Sequence, residues 1–559
     1  MFFLFFFSIF FLISIIGYGY FFKKKIILLD NESNLGELGI LGLVLLTFLA
    51  TFFHFFLPIG KNFNLAIHIV GIILFFLNFK QIFNFFNIEK KLFIFLYFFS
   101  LLIFYQHKPN EDFGFYHLPY VVNFTSEKII IGLSNLQIQQ GWNSIWLNLH
   151  SIFYFKFIEY KAVYLLNSFL FLFVTSIFLN YLVTNFKNNT SLNKILFYFS
   201  FIFLNFFLIK FSNLNSYGLD VPGNYLTILG IFYFLKMISE KKNEINFFKV
   251  SCLVLAFAFT VRISNVLFLL LLLFIFFKKN FYNQILFTKF SLFIFLFLFV
   301  WTVQQFLYTG CVVFPYNFLC FDNLSWSDPN FISKFQQGTS LANKSYELYK
   351  GNLSIEDYSK NFNWVVTWFH RNKIELFEYI GPFIVVIIFT FILSKKTFIL
   401  KKNKRQSYDI ATLFVVILFS FAVWFVHSPV MRMGNHFFLS LLFFLIFYPL
   451  IFNKSLLLNL SKKSAVFILI LSFSIFLYKN YIRIDKNNNV SSDPWPIFEK
   501  IDFKQDKIDD FSINRVFEGK THQSKVCWDT SFLCVSSAIT KLSTLKIKRG
   551  RYIIMYSDY

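Results

Sequence analysis

The sequence has few charged residues for its length, and acidic residues are the scarcest. Charged residues make up 14% of the 559 residues, and only 29 are acidic against 52 that are basic. Because 57% of the residues are hydrophobic, so few charges cannot cover the surface of a soluble protein. The hydrophobic residues also occur in blocks of about twenty, the length of a helix that crosses a bilayer. These features predict an integral membrane protein.

The sequence also lacks the short motifs of several enzyme classes. It contains no phosphate-binding P-loop, no dinucleotide-binding glycine fingerprint and no nucleophile–base arrangement. A net charge of +23 would suit nucleic-acid binding if the basic residues shared one face or one tail. They lie instead in short connections between apolar blocks. That placement indicates membrane topology, and we expect no nucleic-acid partner.

The first apolar block, Met1–Phe22, has no preceding basic region and no small-residue cleavage site, and Lys23 to Lys25 follow it. A secretory signal has the opposite order, so we predict a retained first helix. Backbone groups in lipid must be paired, which favours an all-α polytopic transmembrane bundle of about fourteen helices. The apolar blocks run approximately over residues 2–22, 38–58, 64–86, 92–106, 161–183, 194–210, 221–238, 247–261, 263–277, 287–308, 375–394, 409–427, 435–453 and 464–482.

Alternate connections between these blocks are rich in basic residues. Lys23 to Lys25 and the run from Lys395 to Arg405 belong to one set, whereas the short connections of the other set hold few. Lys and Arg accumulate in cytoplasmic loops, so the first set is expected in the cytoplasm and both chain termini outside it. Two long connections, residues 107–160 and 309–374, then lie on the outer side, and we look for function there.

The tail differs in kind from the rest of the chain. Short alternating stretches, such as Tyr552–Tyr556, are typical of strands. We therefore predict a transmembrane domain over residues 1–482 and a small α/β domain over 483–559 on the outer side.

Four of the five cysteines form two close pairs in the predicted outer segments, Cys311 with Cys320 and Cys527 with Cys534, while Cys252 lies inside a helix. Paired cysteines in an oxidising compartment indicate disulfides, although unpaired thiols remain an alternative. A zinc site is disfavoured because neither pair has a second Cys or His pair at ligand spacing.

The first outer loop contains Asp112, Tyr116 and His117 close to a helix end. A carboxylate there can accept a proton from a hydroxyl group or hold a divalent cation, and the Tyr and His side chains can hydrogen-bond the same ligand. The alternative is an interfacial loop whose aromatic residues lie at headgroup depth.

Four further candidates lie at predicted outer turns: Asp220, Arg262, His427 and Arg432. A guanidinium at a helix end can hold a lipid phosphate through paired hydrogen bonds, or it can be an anchor that extends its charge to water. Asp220 can cap the following helix, or it can join Asp112 as a second carboxylate that binds Mg or Mn. His427 could assist phosphate binding or be structural.

Two of these segments resemble known families. Asp112 followed by Tyr116–Pro119 in the first long outer loop resembles the signature of bacterial GT-C-type membrane glycosyltransferases. The segment Trp424–Gly434, which contains Arg432, is similar to a pattern in a related family of uncharacterised bacterial membrane proteins, with Met433 where an aromatic residue is expected. The first resemblance implies a multi-helix enzyme that uses polyprenyl-phosphate-linked sugars, with Asp112 as the base.

The resemblance implies a multi-pass protein of the bacterial inner membrane with both termini periplasmic. Its partners would be membrane lipid, a polyprenyl-phosphate-linked sugar donor and a glycan, lipid or protein acceptor. Arg432 would stabilise the departing phosphate, Tyr116 and His117 would position a substrate, and Asp220 would support them.

Two alternatives stay open, a lipid-linked oligosaccharide flippase or other transporter, and a polysaccharide polymerase or ligase. A transporter should place ionisable residues near the bilayer midplane, whereas the candidate charges here lie at the predicted outer edge.

Overall fold

Helices make up most of the chain in a computed structural model, which describes residues 2–29, 34–84, 89–104, 112–155, 160–186, 191–211, 218–397, 404–452, 457–488, 503–509, 511–516, 526–528, 530, 532–536 and 545–557. The α-helices of these residues are α1 (Phe2–Phe22), α2 (Leu35–His54), α3 (Lys61–Leu77), α4 (Phe79–Asn84), α5 (Glu89–Phe104), α6 (Leu118–Ser126), α7 (Ile145–Phe153), α8 (Leu165–Asn185), α9 (Ser191–Ile209), α10 (Asp220–Ser239), α11 (Glu244–Val261), α12 (Phe274–Phe277), α13 (Lys279–Ile285), α14 (Lys289–Thr309), α15 (Pro329–Asn343), α16 (Ile355–Ser359), α17 (Val365–Ile392), α18 (Lys404–His427), α19 (Met431–Phe452) and α20 (Lys462–Asn488). A π-helical turn at Phe113–His117 and a 3₁₀-helix at Ile263–Leu273 complete the elements that matter for the site.

Helices lie over all the predicted apolar blocks. The described residues include nine helices that are long and apolar enough to cross a membrane. These are Phe5–Ile27, Leu35–His54, Ala162–Asn185, Asp220–Ser239, Lys241–Val261, Lys289–Thr309, Val365–Ile392, Tyr408–His427 and Lys462–Asp485. Five shorter apolar helices cover Lys61–Leu77, Lys91–Ile103, Asn193–Ile209, Ile263–Phe277 and Met431–Phe447. The prediction of a helical membrane protein is confirmed. A count of fourteen crossings, which needs the five shorter helices to span as well, stays a prediction.

The helices divide into a centre and a rim. α2, α8, α10 and α11 are buried almost all round, whereas α14, α17, α18 and α20 expose one apolar face. In α1, Gly17 and Gly19 lie against the backbone of neighbouring helices, where a Cβ atom would collide with a carbonyl oxygen. Such close approach between small residues stabilises helix packing in lipid, where apolar side chains gain little by leaving the solvent.

One end of the bundle gathers connections that the charge pattern assigns to the cytoplasm. There β1 (Ser394–Thr397) and β2 (Leu457–Leu460) pair antiparallel and join two such connections. Lys278, from a third connection, forms ion pairs with Glu244 and, at 3.3 Å, with Asp409. The structure therefore groups these connections as predicted, while the direction of the bundle in the membrane stays a prediction.

The chain beyond α20 contributes strands, and α20 itself continues to Asn488, past the predicted domain boundary at 482. β3 (Phe503–Ile508), β4 (Phe511–Val516) and β5 (Cys534–Ser536) form one sheet, and β6 (Leu545–Arg549) pairs with β7 (Ile553–Ser557). A small strand region at the C-terminal end is thus present as expected. The described residues from 503 onward contain no helix, so the α part of the predicted α/β domain stays a prediction.

Both predicted cysteine pairs are bonded. Cys311 joins Cys320 in the connection after α14, and Cys527 joins Cys534 at the start of β5. Cys252 is a free thiol buried in α11.

Candidate functional site

Four charged side chains from four separate segments meet at the end of the bundle away from β1 and β2. Asp112 immediately precedes the π-helical turn, Asp220 begins α10, Arg262 follows α11, and Arg432 lies in the first turn of α19. We call these four residues the charged quartet. α10 packs against both α11 and α19, which brings Asp220, Arg262 and Arg432 together. Asp112 joins them although 320 residues separate it from Arg432.

Arg432 lies between the two carboxylates of the quartet. Its Nη2 atom is 3.4 Å from Asp112 Oδ2, and its Nε atom is 3.3 Å from Asp220 Oδ2. The other oxygen of Asp220, Oδ1, is ion-paired with Arg262 Nη1. Asp220 therefore bridges the two arginines, while Asp112 contacts only Arg432 within the quartet.

The quartet has a sheltered half and an accessible half. The side chains of Arg262 and Asp220 are 15% and 20% exposed, whereas those of Asp112 and Arg432 are 35% and 46% exposed. The sheltered pair resembles a structural ion pair, whose loss leaves a charge without compensation. The accessible pair can exchange its partners for a ligand at little cost, because an exposed ion pair contributes about 0–1 kcal/mol.

Asp220 does not cap its helix, although the sequence left that role open. The residue before it, Leu219, is the N-cap, and no side-chain cap hydrogen bond forms there. Its carboxylate is turned toward the two arginines instead. A negative charge in the first turn of a helix is still favourable.

Tyr116 and His117 lie on the buried side of the π-helical turn that follows Asp112. Burial, followed by the negative charge of Asp112, raises the pKa of the Tyr116 hydroxyl, which therefore stays protonated and can donate a hydrogen bond. Burial lowers the pKa of His117 to about 4, and the nearby carboxylate of Asp112 only partly offsets this. His117 is thus a neutral imidazole at pH 7 and not a phosphate-binding cation.

Arg262 remains a cation despite its surroundings. Burial, and next the positive charge of Arg432, lower its pKa to about 9, which is still two units above neutrality. The Asp220 ion pair adds to the stability of the charged form.

His427 is the predicted site residue that the structure does not join to the quartet. It ends α18 and is exposed, and no hydrogen bond or ion pair among the described residues connects it to Arg432. The second histidine near Arg432, His436, is buried and hydrogen-bonds Asn265 Oδ1 through Nε2 at 2.8 Å. That contact is structural.

A divalent cation does not fit the arrangement of Asp112 and Asp220. The guanidinium of Arg432 lies between the two carboxylates, and Arg262 occupies the remaining side of Asp220. Two positive charges at this distance would repel Mg or Mn, and they already contact both oxygens of Asp220 and one oxygen of Asp112. Within the described ranges no group of three or more His, Cys, Asp or Glu side chains could hold a metal ion.

Sequence reasoning missed two residues of the site, one that positions the quartet and one that packs on Tyr116. Asn224, one helical turn after Asp220, donates from Nδ2 to the backbone oxygen of Arg432 at 3.0 Å and so ties α10 to the start of α19. Trp142 lies beside Tyr116, with ring centroids 5.8 Å apart. Asn224 carries no sequence signal that distinguishes it from other amides in the bundle.

The C-terminal strand region packs directly on the turn that carries Asp112. The backbone N–H of Trp528 donates to Gly114 O at 2.9 Å, and the indole lies so close that a Cβ atom on Gly114 would be 2.6 Å from it. In addition, Ile131 pairs with β7 through two backbone hydrogen bonds, from its own N–H to Ile553 O at 2.9 Å and from Met555 N–H to its oxygen at 2.8 Å. The tail therefore forms one wall of the candidate site.

Fold and site together define a multi-helix membrane protein with a balanced charged site at one end and a strand region packed over it. The chain belongs to a family described as a domain of unknown function (DUF8201), whose model matches residues 1–439. No curated protein and no solved structure matches it. The matched range includes all four residues of the charged quartet.

Proposed function

We propose that this protein is a GT-C-like membrane glycosyltransferase that moves a sugar from a polyprenyl-phosphate donor to a glycan, lipid or protein acceptor. The meeting of Asp112, Asp220, Arg262 and Arg432 carries the proposal. A transferase of this kind needs a carboxylate to accept a proton and a cation to receive a leaving phosphate. The charged quartet offers both within one contact distance.

Asp112 and Arg432 would divide the reaction between them. The acceptor hydroxyl gives its proton to Asp112 while its oxygen forms a bond to the anomeric carbon of the sugar. The bond from that carbon to the phosphate oxygen breaks, and its electron pair stays on the phosphate, whose added charge Arg432 stabilises. Attack opposite the leaving group inverts the configuration at the anomeric carbon.

The contact between Arg432 and Asp112 suits this sequence of events. Donor phosphate binding would compete with Asp112 for the guanidinium, since both are oxygen anions and the existing 3.4 Å contact is long. Asp112, once released, is free to accept a proton. Asp220 would keep Arg432 in place throughout through its contact with Nε.

Tyr116 and His117 would act as neutral hydrogen-bonding groups toward the sugar or the acceptor. A protonated Tyr116 hydroxyl and a neutral His117 imidazole can each bind a hydroxyl without adding charge to the site. His427 has no role in this scheme because it stands apart from the quartet.

We place the reaction on the periplasmic face of a bacterial inner membrane. The basic residues of the opposite end and the two disulfides support this orientation. The test is thiol labelling of single-cysteine variants in intact cells, at Asp322 in the connection after α14 and at Lys462 at the opposite end. Labelling of the second position alone by a membrane-impermeant reagent would reverse the assignment.

The enzymatic proposal is tested with the purified full-length protein in liposomes. A panel of polyprenyl-phosphate hexoses and pentoses with labelled sugar is supplied together with a bacterial lipid and glycan extract as acceptor, and release of free polyprenyl phosphate is measured. Asp112→Asn should abolish release while donor binding persists, because Arg432 is then left for the phosphate. Asp322→Asn, which removes an exposed carboxylate elsewhere, is the matched control.

Each alternative function predicts a different result. A flippase would move the labelled lipid between leaflets without releasing the sugar, and Asp112→Asn would stop that movement. A polymerase or ligase would extend or transfer a preformed glycan only. Release at the parental rate by Asp112→Asn would contradict the assignment of Asp112 as the base.

A further inference from the structure

A second group of cations lies beside the charged quartet, at the outer ends of α9 and α20. Lys210 directly follows α9, and Lys479 and Arg483 stand one turn apart on α20, which packs against α9. We call Lys210, Lys479 and Arg483 the basic cluster. Lys479 contacts Ile209, the residue before Lys210, and Arg483 contacts Phe211, the residue after it, so the three cations lie around the end of α9.

The protein itself compensates little of this charge. Lys210 Nζ is 2.6 Å from Glu378 Oε2, in an ion pair whose carboxylate is 59% exposed. Lys479 Nζ donates to the backbone oxygen of Ile209 at 2.8 Å. Among the described residues no second carboxylate forms an ion pair with the cluster, in contrast to the charged quartet, where two acids balance two bases.

Arg483 carries the strongest indication of a missing partner. Its guanidinium stacks 5.0 Å from the ring centroid of Phe211, which fixes its plane. Its Nη1 atom is buried, and it has no hydrogen-bond partner within the described part of the chain. A buried donor without an acceptor destabilises the fold, and a charged one does so more strongly, so a bound acceptor would stabilise this geometry.

The position of the cluster in the chain strengthens this indication. The charge pattern places this end of the bundle outside the cytoplasm, on the side whose short connections hold few lysine and arginine residues. The positive-inside rule therefore does not explain why three cations lie together at this end. Membrane lipids present phosphate groups at this depth, and a phosphate has the charge and the several acceptor oxygens that one guanidinium and two ammonium groups can bind.

We propose that Lys210, Lys479 and Arg483 form a second phosphate site, which binds the phosphate of a lipid whose chains lie beside α9 and α20. α17 joins this site to the charged quartet, because it carries Glu378, the partner of Lys210, and packs against both α9 and α19. The site would hold a lipid next to the quartet whether or not that lipid is a substrate. It therefore does not depend on the proposed sugar transfer.

The test measures lipid binding by the purified full-length protein with native mass spectrometry. Polyprenyl phosphate, phosphatidylglycerol and inorganic phosphate are the three probes. The double variant Lys479→Gln/Arg483→Gln should lose affinity for the lipid phosphates at least tenfold. The matched control, Lys462→Gln/Lys463→Gln, removes two exposed cations from the opposite end of the same helix and should bind as the parent does.

The probes distinguish the source of the phosphate. A tenfold preference for polyprenyl phosphate over phosphatidylglycerol identifies an isoprenoid site, and equal binding of the two identifies a general headgroup site; both support the proposal. Equal affinities of the parent and the double variant for both lipids overturn it. Arg483→Lys, which keeps the charge but removes the planar fork, is the second variant should the double one fail to fold, and it should still lose affinity severalfold.

Failure of the second phosphate site can be distinguished from failure of the proposed sugar transfer. Asp112→Asn should retain the lipid binding that the α20 double variant loses, because Asp112 belongs to the charged quartet and not to the basic cluster. Loss of sugar release in Asp112→Asn with intact lipid binding would support the transferase alone. Loss of lipid binding in the α20 double variant supports the second site even if no sugar transfer is ever observed.

Discussion

The two acids of the charged quartet should differ sharply in what they contribute to stability. Asp220→Asn leaves Arg262, a largely buried cation, without its ion-pair partner, and it also removes one of the two contacts of Arg432. Breaking a buried pair in this way costs about 3–5 kcal/mol. Since Asp220 is 20% exposed, we expect a loss near the lower bound, about 3 kcal/mol. Asp112→Asn removes a single contact between exposed groups and should cost less than about 1 kcal/mol.

The free energy of unfolding is measured by titrating the purified variants in detergent with a denaturing surfactant and following tryptophan fluorescence. The double variant Asp220→Asn/Arg262→Gln is the decisive control. It removes both buried charges, so it should recover about 1–3 kcal/mol relative to Asp220→Asn. A pair that contributes only through exposed charges would show no recovery.

A specific outcome would refute this reasoning. If Asp220→Asn and Asp112→Asn lower the free energy of unfolding equally, Asp220 is not the structural member of the quartet. The division into a sheltered half and an accessible half would then be wrong. If Asp220→Asn is much more destabilising than Asp112→Asn, Asp112 contributes little to stability. That result would favour a functional role for Asp112 over a structural one.

Three further predictions concern the surroundings of Asp112. Gly114→Ala should slow sugar release by about a hundredfold, because the new Cβ would lie 2.6 Å from the Trp528 indole and must push the turn or the indole aside by nearly 1 Å. The control is Gly338→Ala, whose Cβ meets no atom within 4 Å. The free energy of unfolding should rise with pH from about 4 to 6.5. In this range His117 binds a proton in the unfolded chain but not in the folded protein, where its pKa is lowered to about 4. His117→Gln should therefore reduce the slope of unfolding free energy against pH by up to about 1.4 kcal/mol per pH unit. Treatment with EDTA should leave sugar release unchanged if Arg432 and Arg262 supply the positive charge, whereas loss restored by Mg or Mn would contradict that assignment.

The candidate residues of the quartet could be predicted because charge is rare in this sequence. Against an apolar background, Asp112, Asp220, Arg262 and Arg432 stand out at the ends of blocks on one predicted side. The sequence could not show which of them touch, since that depends on the rotation of each helix about its own axis. For the same reason His427, at the end of α18, was a reasonable candidate and yet stands apart from Arg432.

Helix boundaries were predictable only where lipid sets them. The eleventh apolar block was expected over 375–394, but α17 begins at Val365. Hydrophobicity indicates only the part of a helix that lies inside the bilayer. The first turns of α17 lie before that part and carry Trp368, whose indole N–H donates to Pro429 O at 2.5 Å. Those turns lie outside the apolar window and hold the segment before Arg432 in place.

The packing of the tail on the candidate site could not have been predicted at all. Ile131 pairs with β7 through backbone groups, and every residue except proline has the same backbone donor and acceptor. Gly114 gives one sequence signal, since a glycine beside a functional aspartate indicates that another segment packs closely there. The signal does not identify that segment, because Trp528 lies more than four hundred residues away. A wall of the site that comes from so distant a segment couples the geometry of Asp112 to the folding of the C-terminal strands. The Cys527–Cys534 disulfide, directly beside Trp528, then bears on the site as well as on the tail.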